Sequence, residues 1–197
     1  MENLKDFLLM SEEEKIRRIK SLDPEEVIRI LISVGTNALS AELLNQLAVA
    51  YNNSIQPEKA METLDLVKEQ ERDAKWYYRY GYAYAAISLQ EKKFLYQWKA
   101  LEMIEKAITG SKTPEVIDWC LEMMDLRPDL TQLAKMNPSS FPRLSAYYLK
   151  ARPDNEGSGE EEKYKKVSAI EWIFNQQEYL PDAFARDFNM YMAKRYP

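Results

Sequence analysis

The chain has 197 residues, 30% of them charged, with 27 Lys and Arg against 32 Asp and Glu and no histidine. A net charge of −5 argues against general nucleic-acid binding, which needs a basic surface. The absence of histidine removes Ser-His-Asp and Cys-His catalysis and histidine metal sites.

Glycine is scarce, at 5, and Leu, Ala, Glu, Lys, Met and Gln are plentiful, which favours helices. No alternating run of β-branched residues asks for a sheet. One cysteine makes no internal disulfide, as a reducing cytoplasm would have it. No basic leader with an apolar segment, and no apolar run near about 18 residues, predicts a signal peptide or a membrane span.

Residues 1–35 read as helical. Leu4, Phe7 and Leu8 make a small apolar patch. Ser11 and Glu14 have capping-box spacing, and the helix they open continues through Ile16, Ile19 and Lys20. Asp23-Pro24 is a second start, with Asp as N-cap and Pro in the first turn. Val27, Ile28, Ile30, Leu31 and Val34 follow up to Gly35. This pair is expected to pack on the next elements as a degenerate repeat or cap.

Residues 42–108 organise the chain. Ser40 opens a helix carrying Leu44, Leu47, Ala48 and Tyr51. A second helix is expected from Gln56 or Pro57 to about Gln70, with Ala60, Leu64 and Val67 on its apolar face. The pattern returns as Tyr77, Tyr80, Gly81 and Tyr84, then Ala100, Ile104 and Ala107. Small residues at Ala48, Ala60, Gly81 and Ala100 let paired helices approach closely. A helical Gly81 costs about 1 kcal/mol against Ala, so close packing is its natural reason.

Ala48 and Ala60 are 12 positions apart, and Ala48 and Gly81 are 33 apart. These residues and spacings resemble the tetratricopeptide (TPR) repeat, whose period is about 34 residues. In the second unit Gly81 and Ala100 are 19 positions apart, seven more than in the first. The second hairpin is therefore expected to be longer, with Leu89 to Trp98 at its tip. Phe94, Tyr96 and Trp98 there either cap the core or form a contact surface. Tyr51-Asn52-Asn53 ahead of Lys59-Ala60, with Trp76, Arg79 and Gly81-Tyr82-Ala83-Tyr84, is also similar to short bacterial TPR proteins of mostly unassigned function. The resemblance implies an all-α fold: a right-handed superhelical stack of antiparallel helix pairs, a TPR-like α-solenoid with flanking capping helices.

Gly110 reads as a helix C-cap. Thr113-Pro114 opens another helix to about Leu126, with Val116, Ile117, Cys120, Met123 and Met124 on one face. Cys120 reads as a buried core thiol, because its neighbours Asp118 and Glu122 supply no activating positive charge. Pro128, Pro138 and Pro142 then break the chain. Leu130, Leu133 and Met136 mark one short helix, and Leu144, Tyr147 and Tyr148 another.

Residues 152–162, with Gly157, Gly159 and an acidic run, read as a flexible acidic linker. Tyr164, Val167, Ile170, Ile173 and Phe174 form one later stripe, and Phe184, Phe188, Tyr191 and Met192 another. The expected domains are a helical repeat domain over 1–151, with repeats at about 41–73 and 74–110, the linker, and a C-terminal helical extension over 163–197 that packs on the repeats.

In TPR domains the first helices line a concave groove where partners commonly bind. By that resemblance the groove of this chain is lined by Asn45, Val49, Asn52, Lys75, Tyr78, Arg79 and Tyr82. Asparagine amides both donate to and accept from a peptide backbone. Lys75 and Arg79, four apart on one face, suit a carboxylate or an acidic peptide. This partly resembles the carboxylate clamp of chaperone-binding TPR domains, although Val49 stands where that clamp has Asn. Tyr78 and Tyr82 are candidate anchors.

The expected function is a cytoplasmic protein-interaction module for a protein or peptide, with no catalysis, cofactor, metal, nucleic acid or membrane. One alternative is a scaffold whose aromatic C-terminal helices fill the groove or build a homodimer. A lower alternative is an enzyme using Glu and Asp acid-base chemistry. No phosphate loop, metal cluster or nucleophile motif supports the latter.

Overall fold

The computed structural model describes residues 4–91 and 93–145. Among them all regular structure is helical. The elements are α1 (Leu4–Leu9), α2 (Glu12–Ile19), α3 (Pro24–Val34), α4 (Ala41–Asn53), α5 (Pro57–Asp65), α6 (Ala74–Glu91), α7 (Phe94–Gly110), α8 (Pro114–Asp125) and α9 (Pro128–Met136). The expected linker over 152–162 and extension over 163–197 lie outside the described residues.

Side-chain caps fix the early helix starts. Ser11 Oγ accepts from Glu14 N at 3.3 Å, and Glu14 Oε2 accepts from Ser11 N at 2.8 Å, which closes the capping box. The Ser11 N–H and hydroxyl, which both donate to Glu14 Oε2, hold the Glu14 carboxyl below its ordinary pKa. Asp23 Oδ1 accepts from Glu26 N at 3.0 Å, and Ser40 Oγ accepts from Leu43 N at 3.3 Å. Thr113 precedes α8 without a side-chain cap, and Pro at the first position sets that start instead.

The described residues divide into two compact units: those up to Arg72 with Arg79–Tyr96, and Asp73–Tyr78 with those from Gln97 on. In the first, α4 and α5 form a tightly packed helical hairpin, and α3 lies against α4. Leu31, Leu47, Ala48, Ala60, Leu64 and Ala83 are fully buried there. Ser40 Oγ donates to Glu12 Oε1 at 2.6 Å, joining α2 to the start of α4. Tyr80 Oη donates to Asp65 Oδ1 at 3.1 Å, fastening α6 to the end of α5.

Two helix ends differ from expectation. α5 stops at Asp65 rather than near Gln70. Arg72 Nε donates to Val67 O at 3.1 Å, so a side chain rather than another helical turn satisfies that carbonyl. A short 3-10 turn, Glu69–Glu71, follows. Gly110 is not a left-handed cap: it lies in the last turn of α7 without a positive φ.

The α4–α5 turn carries a strained residue. Gln56 N donates to Tyr51 O at 2.9 Å, and Ile55 N to Asn52 O at 3.2 Å, the bond pattern of a Schellman motif. Its left-handed position, normally Gly, is Ile55 at φ 57°, with 78% of its surface exposed. A β-branched side chain is disfavoured there, and no packing compensates. Ile55→Gly is therefore expected to raise unfolding stability by about 0.5–1 kcal/mol, after the greater freedom of Gly in the unfolded chain is subtracted. Urea midpoints of the two chains check this.

In the second unit Leu101, Ile104, Ile108, Ile117, Leu121, Met124, Leu130 and Leu144 are fully buried. Trp98 meets Phe141 edge-on, with ring centroids 4.8 Å apart. Thr131 Oγ1 donates to Met124 O at 2.8 Å, tying α9 to the end of α8. Cys120 is fully buried, as expected for a core thiol, and burial pushes its pKa well up.

Candidate functional site

The candidate residues of α4 stand at helical spacing on one face, because Asn45, Val49 and Asn52 are four and three positions apart. Ser40 starts that helix and the Schellman turn ends it, so their register is fixed at both ends. Asn45 is 3% exposed and its Nδ2 donates to Ala41 O at 3.0 Å. Asn52 is half-buried and its Nδ2 donates to Arg79 O at 3.3 Å. Each amide nitrogen faces a carbonyl, which only accepts, so neither amide can be flipped. The remaining atoms, Asn45 Oδ1 and Asn52 Oδ1, are buried acceptors without a hydrogen-bond partner among the described residues.

Val49, between them, is half-buried. On α6 in the same unit, Arg79 is 6% exposed and Tyr82 is 37% exposed. The structure thus brings Asn52 and Arg79 into contact, through the Arg79 main chain rather than its guanidinium. Lys75 and Tyr78 fall in the other unit. Lys75 is half-buried, and Tyr78 packs against Trp119 with ring centroids 5.5 Å apart.

Charge is distributed unevenly over these helices. Leu43 to Pro57 contains no charged residue, and neither does Tyr80 to Gln90, in a chain that is 30% charged. The second helices α5 and α7 carry both signs. The outward positions of α4, its turn and distal α6 are accordingly neutral: Val49, Asn53, Ile55, Tyr82, Leu89 and Gln90.

At the α6–α7 turn, within the expected tip, Leu89, Phe94 and Leu95 are 60%, 59% and 57% exposed. One feature escaped the sequence reading: Glu105, 9% exposed on α7, whose Oε1 accepts from Arg143 N at 2.9 Å and Oε2 from Leu144 N at 3.1 Å. Burial raises the Glu105 pKa, and those two bonds and the Arg143 charge oppose the rise. No local pattern announces a cap 38 residues away.

Among the described residues, no group of three or more His, Cys, Asp or Glu is placed to hold a metal ion. No described helix is long and apolar enough to cross a membrane. No protein-family model, curated protein or solved structure matches the chain.

Proposed function

We propose that the chain is a cytoplasmic TPR-type protein-interaction module that holds a peptide or protein segment against its first helices and performs no catalysis. The observation that carries this reading is the missing charge from Leu43 to Pro57, over α4 beyond its first turn, and from Tyr80 to Gln90 on distal α6. Solvent-facing helix positions are ordinarily where a charged chain places its charges, whereas interface cores are depleted of them and enriched in aromatics. Tyr82 is the exposed aromatic of that face. Asn52 stands half-buried on the same face, with an amide of the kind that pairs with a peptide backbone. The likeness to the TPR repeat in the spacing of Ala48, Ala60, Gly81 and Ala100 supports a groove as the form of the site.

The test is capture from the native cytoplasm with the full chain, wild type against Asn52→Ala/Tyr82→Ala. Arg79 is left intact because it is buried, and reversing its charge would report on folding. Circular dichroism first confirms that the variant keeps its helices. A partner recovered at about tenfold lower yield by the variant is the expected result, a typical loss for truncating an aromatic anchor. Equal recovery by both chains, or no partner for either, would sink the reading.

A further inference from the structure

We infer that Ile55 is an anchor residue, held in a strained turn where an uncharged apolar segment of a partner protein packs on it. This rests on the reading of the chain as a protein-interaction module, and it extends the site past the end of α4. Ile55 has φ 57°, and among the described residues it is the one non-glycine with positive φ. The other described positive-φ position is Gly35, at φ 90°. A residue branched at Cβ is an outlier where Gly or Asn is ordinary.

The free chain does not offset that strain. Ile55 is 78% exposed, so its side chain gains little from packing. A single exposed apolar residue is by itself unremarkable. Leu126 is just as exposed, at 81%, but its φ of −79° suits any residue. What sets Ile55 apart is the combination of an unfavourable backbone and an apolar side chain left in water. Strain of this kind collects at contact sites, where a bound partner supplies the missing packing.

Charge names the chemistry of that partner. Ile55 lies in the uncharged stretch Leu43 to Pro57, with Asn53 exposed and Asn52 and Ser54 half-buried beside it. A charged side chain brought against this stretch would lose its water and meet no counter-charge. The next charges, Glu58 and Lys59, are of opposite sign, and Lys59 Nζ donates to Gln56 Oε1 at 2.8 Å. The turn thus offers apolar contact at Ile55 and amide hydrogen bonding at Asn53, which suits an uncharged segment.

A randomised peptide library displayed on phage and selected against the full chain supplies the probe. Enriched peptides are then titrated by fluorescence anisotropy with wild type, Ile55→Gly, Ile55→Asn and Asn52→Ala/Tyr82→Ala. Uncharged apolar peptides should be enriched, with affinities that added salt changes by less than about twofold. Ile55→Gly and Ile55→Asn should each bind them about tenfold more weakly, roughly what burying one aliphatic side chain is worth. Both should also unfold at a higher urea midpoint than wild type, a split that damage to the fold does not produce. Peptides lost by Asn52→Ala/Tyr82→Ala and kept by Ile55→Gly would overturn the inference and leave the groove standing. The reverse pattern would keep Ile55 as the anchor and overturn the groove. Charged peptides, or affinity that falls steeply with salt, would overturn the inference alone. So would an Ile55→Gly chain no more stable than wild type, which would remove the strain. Dimerisation that Ile55→Gly abolishes would give the contact to a second copy and overturn it too. No enriched peptide, or peptides indifferent to every variant, would overturn both readings.

Discussion

Glu105→Ala is expected to lower unfolding stability by about 2–4 kcal/mol, a large share of what a domain of this size has. The carboxylate is 9% exposed and accepts the main-chain N–H groups of Arg143 and Leu144. These belong to the first turn of the helical segment beginning at Pro142, where N–H groups have no partner within the helix. Alanine leaves two donors without their acceptor and a cavity between α7 and that turn. Capping losses alone are about 1 kcal/mol each, and burial raises the cost. The measurement is denaturant unfolding followed by tryptophan fluorescence. A change within about 0.5 kcal/mol would show that the bonds do not matter.

Glu105→Gln separates charge from geometry. The folded pKa of Glu105 lies above its ordinary 4.5, mainly because of burial. A raised carboxylate pKa means that the folded chain binds this proton more tightly than the unfolded chain. The protonation-linked part of the Glu105 contribution is therefore full below about pH 4.5 and lost as pH rises through the higher folded value. Glutamine carries no such proton. It also turns an amide N–H₂ toward one of the two donors, a cost that does not change with pH. The stability of the glutamine chain relative to wild type should therefore improve as pH rises from about 4.5 through the higher folded value, then level off. A difference that is flat with pH, or that slopes the other way, would contradict burial as the dominant cause.

Glu105 also shows where sequence reading loses its reach. Ser11, Asp23 and Ser40 were legible as caps because each acts on an N–H three residues ahead. Glu105 acts 38 and 39 residues ahead, a distance at which no pattern in one sequence singles it out. The early stop of α5 has the same origin, because Arg72 reaches back to Val67 O on a path that periodicity does not encode. The small residues were legible because helical spacing repeats them, and Ala48, Ala60 and Ala100 are fully buried. The candidate groove was legible only in part. Spacing places Asn45, Val49 and Asn52 on one face. It does not reveal that Arg79 is buried, or that Tyr78 stacks on Trp119, because both depend on what packs against α6.

The core of the first unit gives the second large effect, and it has two directions. Leu64 and Ala48 are both fully buried, on α5 and α4 of the tightly packed hairpin. Leu64→Ala removes apolar contact and leaves a cavity, which costs about 2–5 kcal/mol depending on how far the neighbours relax. Ala48→Leu adds three carbons where the repeat reading places a close helix approach, and overpacking of this kind costs about 1–3 kcal/mol. If the small residue sets the separation of the helices, the added volume cannot be absorbed. The double variant should then fail to recover the sum of the two losses, because the carbons gained on α4 do not fill the space vacated on α5. Ala86→Leu, at a half-buried position of α6, is the control and should cost less than about 1 kcal/mol. Urea unfolding of the four chains decides the matter. A tolerated Ala48→Leu beside a costly Leu64→Ala would leave the hydrophobic core in place and remove close helix approach as the reason for the repeated small residues.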